Sequence, residues 1–355
     1  MGGIEYQVKL LVENLVKHKD TQVTYLSRKL NRQFTSPHYD LIQISRESIF
    51  QRSGFFMDTL KLLRLLRKLD PDVIYENGGC AYTGIAAYHA KKNGCKMIWH
   101  IASDNELENR RPWSRLKPHK LIENKMLEWG IRNADVIIAQ SEIQKKIVAQ
   151  RNQKAAIHLV RNFHPSPEIG ESCEKSNQIV WVANFKKLKQ PEVYLELAES
   201  LAHRGIDAQC LMIGAPTAYP KGYQNDLEKR IRKIDNLKYL GKLPIAQVNQ
   251  VIAASKLFIN TSKWEGFPNT LIQSWMRKTP VVSLNCDPDH VLQEHHCGVL
   301  SGTPRKLVED VITLLGNDEQ REAMGENAYD YAMRCHSLEN LRYLERILLG
   351  VQEQT

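Results

Sequence analysis

Residues 257–276 read LFINTSKWEGFPNTLIQSWM, and they contain the most informative pattern in the chain. An apolar run is followed by a turn that contains Gly266 and Pro268, and a helical pattern begins near Asn269. Backbone N–H groups at such a helix start are suited to a phosphate group. Glu265 lies in the turn, where its carboxylate can reach a bound ligand. The segment therefore predicts a strand–turn–helix unit. On local chemistry alone, a site for a phosphate-containing ligand and a structural turn with a solvated glutamate are both open.

Short apolar runs alternate with amphipathic stretches on both sides of this segment. The predicted strands are Gln22–Leu26, Leu41–Ser45, Asp72–Glu76, Lys96–Ile101, Asp135–Gln140, Ala156–Val160, Ile179–Ala183, Gln209–Ile213, Lys238–Leu240, Leu257–Asn260, Pro280–Leu284 and Gly298–Leu300. The predicted helices include Ile4–Lys17, Met57–Leu69, Pro191–Arg204, Asn225–Ile234, Ile245–Ala254, Thr270–Arg277, Pro304–Leu315, Glu319–Arg334 and Leu338–Val351. Strand–helix alternation indicates α/β domains with parallel sheets and helices on both faces.

A length of 355 residues is too great for one compact core and indicates two domains. The stretch 164–177 contains Pro and Gly residues and is interpreted as a linker. We therefore predict two doubly wound, Rossmann-like domains, 1–163 and 178–330, which face each other across a cleft. Ligands of such domains bind at the carboxyl ends of the strands. Residues 331–355 are predicted to form a C-terminal helix that packs back on the first domain.

The charged residues are unevenly distributed along the chain. The formal net charge is +9, from 49 Lys and Arg against 40 Asp and Glu. Residues 1–163 hold 27 basic and 16 acidic side chains, so the whole excess lies in the first half. This asymmetry indicates an anionic partner or surface for the first domain. A nucleic-acid partner is disfavoured, because the sequence has no helix–turn–helix spacing, zinc pattern or aromatic–basic platform.

The seven cysteines are scattered and never form a Cys-x-x-Cys pair. This pattern disfavours a disulfide framework or a zinc site and suits the reducing cytosol. No apolar run approaches the ~18–20 residues of a membrane span, and the first residues lack the pattern of a signal peptide. We expect a cytoplasmic protein, at most peripheral on the inner face of a membrane.

The sequence EGFPN at 265–269, with the following apolar helix and TPVVS at 279–283, resembles the donor-site motif of family 4 of the retaining glycosyltransferases. Enzymes of that family have the two-domain GT-B fold. Further matches in chain order are GGIE (2–5), PDVIY (71–75), NADVIIAQS (133–141), VANF (182–185) and LG (240–241). The resemblance covers nearly the whole chain and implies this fold and a glycosyl transfer activity.

The resemblance also implies which residues bind the donor. Lys189 is similar to the loop lysine that binds the donor diphosphate. Asn184 replaces an arginine of the family, and Lys186 is the cation best placed to substitute for it. Gly3 is similar to the glycine that lets a first-domain loop approach the diphosphate. The implied donor-binding residues are Gly3, Lys186, Lys189, Gly266, Phe267, Pro268, Asn269, Thr270 and Gln273.

Two residues are implied to be catalytic, Glu265 and His100. Glu265 would orient the donor sugar and stabilise the positive charge that develops at its anomeric carbon. His100 is similar to the family histidine near the reacting sugar; a structural hydrogen-bonding role is the alternative. The family's second glutamate is Gln273 here, which cannot ionise, so a covalent mechanism with two carboxylates cannot use this pair. Gln273 can instead bind a ribose diol.

The resemblance implies a retaining glycosyltransferase of the hexosyltransferase type, and we predict that it is metal-independent and has no cofactor. The sugar would pass from a nucleoside-diphosphate donor, of UDP or GDP type, to a glycan or lipid-linked glycan in bacterial surface polysaccharide assembly. The basic segment Arg110–Lys120, with Trp113 as an anchor, is a candidate for contact with phosphate headgroups, and a solvated loop is the alternative. A nucleotide-sugar epimerase of the same fold and a non-catalytic nucleotide-sugar binding protein are the alternative functions.

The beginning of the chain departs from the expected pattern. A glycine-rich turn normally follows a central first strand, whereas Gly2 and Gly3 are preceded only by Met1. We therefore expect that this chain lacks its natural first strand.

Overall fold

The computed structural model describes residues 3–27, 38–44, 54–107, 118–167, 174–215 and 221–351. The chain divides into two compact units. Unit 1 comprises Met1–Asn162 with Glu339–Thr355, and unit 2 comprises Phe163–Leu338. Both units are built on parallel strands connected by helices. The predicted α/β class with two Rossmann-like halves is confirmed.

Unit 1 begins with a helix and continues with alternating strands and helices. Its strands are β1 (Thr24–Ser27), β2 (Asp40–Gln43), β3 (Val73–Asn77), β4 (Lys96–His100), β5 (Val136–Ala139) and β6 (Ala156–Leu159). Its helices before residue 163 are α1 (Gly3–Leu15), α2 (Gly54–Leu69), α3 (Ala81–Asn93), α4 (Pro118–Arg132) and α5 (Glu142–Arg151). The strands form a parallel sheet in the order β3-β4-β5-β6 and a separate parallel pair, β1-β2.

The sheet of unit 1 is interrupted between β1 and β3. Every residue of both strands is half-buried, whereas the central strand β5 is buried throughout. Leu26 of β1 and Ile74 of β3 pack against one cluster formed by Leu62, Leu66 and Ile85, so both strands belong to the same core layer. In the part of the chain that the structure describes, no strand bridges the two. The predicted absence of a first strand stays a prediction.

Unit 2 contains one six-stranded parallel sheet. Its strands are β7 (Ser176–Val182), β8 (Gln209–Ile213), β9 (Leu237–Gly241), β10 (Ser255–Asn260), β11 (Val281–Ser283) and β12 (Gly298–Leu300). Its helices are α6 (Pro191–His203), α7 (Lys221–Ile231), α8 (Ile245–Ala254), α9 (Asn269–Trp275), α10 (Val291–Glu294), α11 (Pro304–Leu315) and α12 (Asp318–Cys335). The strand order is β12-β11-β10-β7-β8-β9.

Strand residues of unit 2 alternate between two cores, as the period of two in a strand requires. Ile179 and Trp181 of β7 pack with α6, α7 and α11 on one face. Val180, between them, packs with α8, α9 and α12 on the other face. The sheet is therefore covered on both sides, and its buried strands are near-continuous apolar runs. Each predicted strand corresponds to an observed one, and their ends differ by at most three residues.

The chain changes units between Leu338 and Glu339. α12 continues through residue 331, where the sequence predicts the C-terminal helix to begin, and it belongs to unit 2. The last helix, α13 (Glu339–Leu349), belongs to unit 1. It is held there by a 2.6 Å hydrogen bond from Asn14 Nδ2 to Glu345 Oε1. No helix among the described residues is long and apolar enough to span a membrane.

Candidate functional site

The carboxyl ends of β7 and β10 mark the place in unit 2 where the strand order reverses. β7 pairs with β10 on one side and with β8 on the other. Open α/β sheets bind ligands in the crevice at such a switch point. The loop after β7 reaches Gln190, and the loop after β10 extends from Thr261 to Pro268. These two loops hold most of the residues predicted from the sequence.

The two loops are joined by hydrogen bonds behind the site. The indole of Trp181 donates through Nε1 to Thr261 Oγ1 at 2.8 Å. The Thr261 hydroxyl donates in turn to the carbonyl oxygen of Lys189 at 2.6 Å. The backbone N–H of Lys263 donates to the Leu188 carbonyl at 2.9 Å. Because Trp181 and Thr261 are buried, water does not compete for these bonds, and the backbone of Lys189 is fixed.

This arrangement brings the predicted Lys189 and Glu265 together. Lys189 Nζ lies 2.5 Å from Glu265 Oε2, and the two side chains are 22% and 15% exposed. The contact is a charge-assisted hydrogen bond between half-buried groups. The switch point thus holds a cation that can bind a phosphate and a carboxylate that can stabilise positive charge.

Lys186 and Asn184 lie on the same loop as Lys189. The carbonyl of Lys186 accepts the N–H of Lys189 at 2.7 Å, which closes a 3₁₀ turn over Lys187–Lys189. The side chain of Lys186 is exposed and that of Asn184 is half-buried. Lys186 is therefore accessible to an anion, whereas Asn184 supplies no charge at the position of the family arginine.

The segment from Gly266 to Thr270 leads from the turn into α9. Phe267 is 4% exposed, and its ring packs on Trp275 and His336 with centroid distances of 6.0 and 4.5 Å. Pro268 precedes α9, which begins at Asn269. The side chain of Phe267 anchors the segment in the core, so it is the half-buried backbone around Gly266 and Asn269 that a ligand can reach.

Gln273 lies in α9 and is 5% exposed. Its Nε2 donates to Asn249 Oδ1 of α8 at 2.9 Å. This bond leaves the Gln273 carbonyl oxygen, Oε1, for a hydroxyl group of a ligand. The predicted contact of Gln273 with a ribose stays a prediction.

His100 and Gly3 belong to unit 1, apart from the other predicted residues. His100 ends β4 and is 1% exposed. Its Nδ1 is hydrogen-bonded to Tyr75 Oη at 2.7 Å, and within the described residues its Nε2 has no partner. Burial lowers the pKa of His100 to about 3, so the ring is neutral near pH 7. Gly3 is exposed and begins α1.

The carboxyl end of β3 holds polar residues that carry no prediction from the sequence. Asn77 Nδ2 donates to Tyr75 Oη at 3.3 Å, and Asn77 is the register partner of His100. Burial raises the pKa of Glu76 to about 8, so this carboxyl group is largely protonated at neutral pH. The signal in the sequence is the polar run from Tyr75 to Asn77 before Gly78, directly after an apolar strand.

Comparison with known proteins identifies the class. The profile described as Glycosyltransferase Family 4 matches residues 1–164, and the profile described as Glycosyl transferases group 1 matches residues 164–331. The two profiles meet within the predicted linker and together span both units. The chain belongs to group 1, family 4 of the glycosyltransferases. It is thus an enzyme that transfers a sugar from a nucleotide-sugar.

Individual relatives are distant in sequence. An uncharacterized glycosyltransferase of Methanocaldococcus jannaschii is 20% identical over 92% of this chain and 85% of its own length. A D-inositol 3-phosphate glycosyltransferase of Corynebacterium kroppenstedtii is 25% identical over 48% of this chain and 39% of its own length.

Solved structures share the fold. The crystal structure of WaaG, a glycosyltransferase involved in lipopolysaccharide biosynthesis, matches with a TM-score of 0.77 and 14% identity over 99% of this chain and 97% of its own. Anabaena HepE in complex with UDP and glucose matches with a TM-score of 0.68 and 17% identity, over 89% and 87% of the two chains. Staphylococcus aureus TarM matches with a TM-score of 0.65 and 16% identity; 82% of this chain spans 59% of TarM. These likenesses establish the GT-B fold.

The described residues contain no group of three His, Cys, Asp or Glu side chains that could hold a metal ion. Metal independence stays a prediction, as does the absence of a cofactor.

Gly214 directly follows β8 and lies against the backbone of the loop after β7. A Cβ atom there would lie 1.9 Å from the carbonyl oxygen of Ala183, and its φ is +150°. The neighbouring Ala215 carbonyl accepts the N–H of Phe185 at 2.9 Å. Only glycine permits this close approach of two backbone segments.

We expect Gly214→Ala to lower the free energy of unfolding by about 2 kcal/mol or more, because the methyl group meets backbone that cannot rotate away. Urea denaturation measures the change. Gly205→Ala is the matched control, because Gly205 also has a positive φ but has no atom within 4 Å of the added Cβ. Equal losses in the two variants would contradict the close approach at Gly214.

The neutral state of His100 makes stability depend on pH. The pKa of His100 in the folded protein lies below the ordinary value of 6.5. Below about pH 6.5, the unfolded chain therefore binds a proton at this histidine that the folded chain does not bind. The contribution of this group is therefore present above about pH 6.5 and is lost as the pH falls toward 3. We expect His100→Gln to remove about 1 kcal/mol of the decrease in unfolding free energy between pH 7.5 and 5.5. Identical pH slopes in the two proteins would contradict a buried, neutral His100.

Proposed function

We propose that this enzyme transfers a hexosyl group with retention of configuration from a UDP- or GDP-sugar to a glycan or lipid-linked glycan in bacterial surface polysaccharide assembly. The observation that carries the proposal is the Lys189–Glu265 pair at the switch point of unit 2. A UDP donor is supported by HepE, which was crystallised with UDP-glucose. The acceptor class is supported by WaaG, which acts in lipopolysaccharide biosynthesis.

The proposed roles follow from the chemistry of each group. Lys189, with Lys186 beside it, neutralises the diphosphate leaving group, and the backbone of 267–270 lies against the phosphates and the sugar. Glu265 stabilises the positive charge at the anomeric carbon in the transition state. Gln273 binds the ribose through its carbonyl oxygen.

His100 has a restricted role in this mechanism. A ring with a pKa of about 3 does not take up a proton near pH 7, so His100 does not serve as an acid or a base there. It contributes a hydrogen bond to a sugar oxygen instead, with Tyr75 Oη holding Nδ1.

We expect Glu265→Gln to lower the rate of sugar transfer by at least about 10²-fold, because an interaction made mainly in the transition state is lost. Lys189→Met should chiefly raise the KM for the donor. Steady-state release of nucleotide from UDP- and GDP-sugars measures both effects. Glu326→Gln, which breaks the exposed 2.7 Å pair with Lys278 in the same unit, should change neither constant.

The outcomes also separate the alternative functions. Binding of the nucleotide without its release from any sugar nucleotide would identify a non-catalytic binding protein. Conversion of the donor sugar into its epimer without an acceptor would identify an epimerase. Transfer that survives in Glu265→Gln would contradict the role given to this carboxylate.

The second part of the proposal is a peripheral contact between unit 1 and the anionic inner face of the cytoplasmic membrane. The predicted anchor Trp113, in segment Arg110–Lys120, lies outside the described residues. The support comes from the adjoining helix α4. Its outward face presents large apolar and basic side chains, and these are Leu121, Ile122, Lys125, Trp129 and Arg132, all of them exposed. Arg132 is paired with Glu128 at 3.1 Å, so Lys125 is the basic residue of this face on which the argument rests. Exposed Tyr88 of α3 extends this face, with its ring 6.4 Å from that of Trp129.

Such a face suits an anionic lipid surface. Aromatic side chains favour the headgroup region of a bilayer, and each basic residue near an anionic surface adds about 1 kcal/mol. We name these five residues of α4 the α4 face. The combination of apolar and basic groups favours an anionic lipid surface over a neutral glycan, because a neutral glycan offers no negative charge to the basic residues.

We expect the enzyme to sediment with phosphatidylglycerol-containing vesicles and not with pure phosphatidylcholine vesicles. The variant Lys125→Glu with Trp129→Ser should lose most of this binding, because it removes a charge and an interfacial aromatic ring together. The control variant Ile143→Ser with Lys146→Glu changes an exposed apolar and an exposed basic residue elsewhere in unit 1, and it should bind normally. Equal losses in both variants would contradict a role for the α4 face.

A further inference from the structure

We propose that Glu265 is the internal counter-ion of Lys189 in the donor-free enzyme, and that donor binding exchanges the Glu265 carboxylate for the donor diphosphate. This inference rests on the proposed function, since it assumes that the same site binds a nucleoside-diphosphate sugar. It adds a second role for Glu265, which precedes its role in the transition state.

The first step is the direct competition for one ammonium group. Lys189 Nζ is 2.5 Å from Glu265 Oε2, so the shortest hydrogen bond that this ammonium makes is to the carboxylate. Both side chains are less than a quarter exposed, and water replaces neither partner well. A diphosphate that binds Lys189 therefore comes close to the Glu265 carboxylate that shares this ammonium.

The second step is the repulsion between the carboxylate and the incoming diphosphate. Two anions close together near a protein surface repel each other more strongly than they would in bulk water. Lys189 cannot bind both anions closely without this repulsion. The carboxylate of Glu265 therefore moves away from the ammonium group when the diphosphate binds. Its release is a side-chain rotation, because Phe267 anchors the following backbone in the core.

The third step excludes a purely structural reason for the pair. The two loops are already joined by the bond from Thr261 to the Lys189 carbonyl and by the bond from Lys263 N–H to the Leu188 carbonyl. Both bonds use backbone atoms of the Lys189 loop and neither uses its ammonium group. Loss of the ion pair therefore leaves the loops in place.

The exchange has a consequence for the order of events. In the ion pair, the ammonium of Lys189 holds the carboxylate of Glu265. When the diphosphate binds Lys189, the carboxylate of Glu265 is released. The donor sugar arrives beside this carboxylate in the same step. Donor binding thus prepares the group that the transfer reaction needs.

The test is calorimetric titration of the full-length protein with UDP and with GDP, neither of which carries a sugar. We expect Glu265→Gln to bind the recognised nucleotide about fivefold more tightly than the wild type, the equivalent of about 1 kcal/mol for one ion pair. In a Lys189→Met background, the same change should give a much smaller gain. Glu326→Gln again serves as the control and should leave the affinity unchanged.

Three results overturn different parts of the account. If Glu265→Gln binds the nucleotide as tightly as the wild type or more weakly, while its melting temperature is unchanged, the exchange is wrong and the proposed function stands. If the gain is as large without Lys189, the effect is general repulsion and the counter-ion role is wrong. If the wild type binds neither UDP nor GDP, the proposed donor class is wrong, and the proposed exchange is wrong as well. Should Glu265→Gln fail to fold, Glu265→Asp provides the second variant; its shorter carboxylate weakens the pair, and tighter binding is again expected.

Discussion

The hydroxyl group of Thr261 connects the two loops on which the candidate site depends. It accepts the indole N–H of Trp181 and donates to the carbonyl of Lys189, so that a residue after β10 fixes the backbone after β7. Both strands are central in the sheet, and the crossovers leave them in opposite directions. A cation and a carboxylate separated by 76 positions in sequence are consequently in contact. The chemistry proposed for the enzyme requires that both groups lie at this place, with the rigid support behind them.

The fold was largely predictable from the sequence because its signals are local. Apolar runs of strand length and helical spacing between them determine the α/β class, and the EGFPN segment is the turn that leads into α9. The pairing of Lys189 with Glu265 is different, because no spacing in the sequence implies it. The resemblance to a family placed both residues at the donor, and the structure adds that they touch.

Other features of the site depend on packing and had no local signal. The Asn249 partner of Gln273 comes from α8, which packs beside α9 in the folded unit. The neutrality of His100 follows from its burial beside Tyr75, 25 residues earlier in the chain. The α4 face combines exposed leucine, isoleucine and tryptophan with basic residues, and sequence periodicity alone does not tell which side of such a helix faces solvent.

The distribution of charge along the chain fits the different roles proposed for the two units. The basic excess lies in residues 1–163, whereas the binding of a diphosphate proposed for the loops of unit 2 uses only Lys189, Lys186 and backbone N–H groups. The half-buried ammonium of Lys189 is paired with the Glu265 carboxylate, which fits the rule that a buried charge is costly unless it is paired.

The most direct test of the central claim is a crystal structure of the full-length protein with UDP bound. We expect the diphosphate within hydrogen-bonding distance of Lys189 Nζ and against the backbone of residues 267–270, with the Glu265 carboxylate moved away from the lysine. A diphosphate bound elsewhere, with the Lys189–Glu265 pair intact, would contradict it.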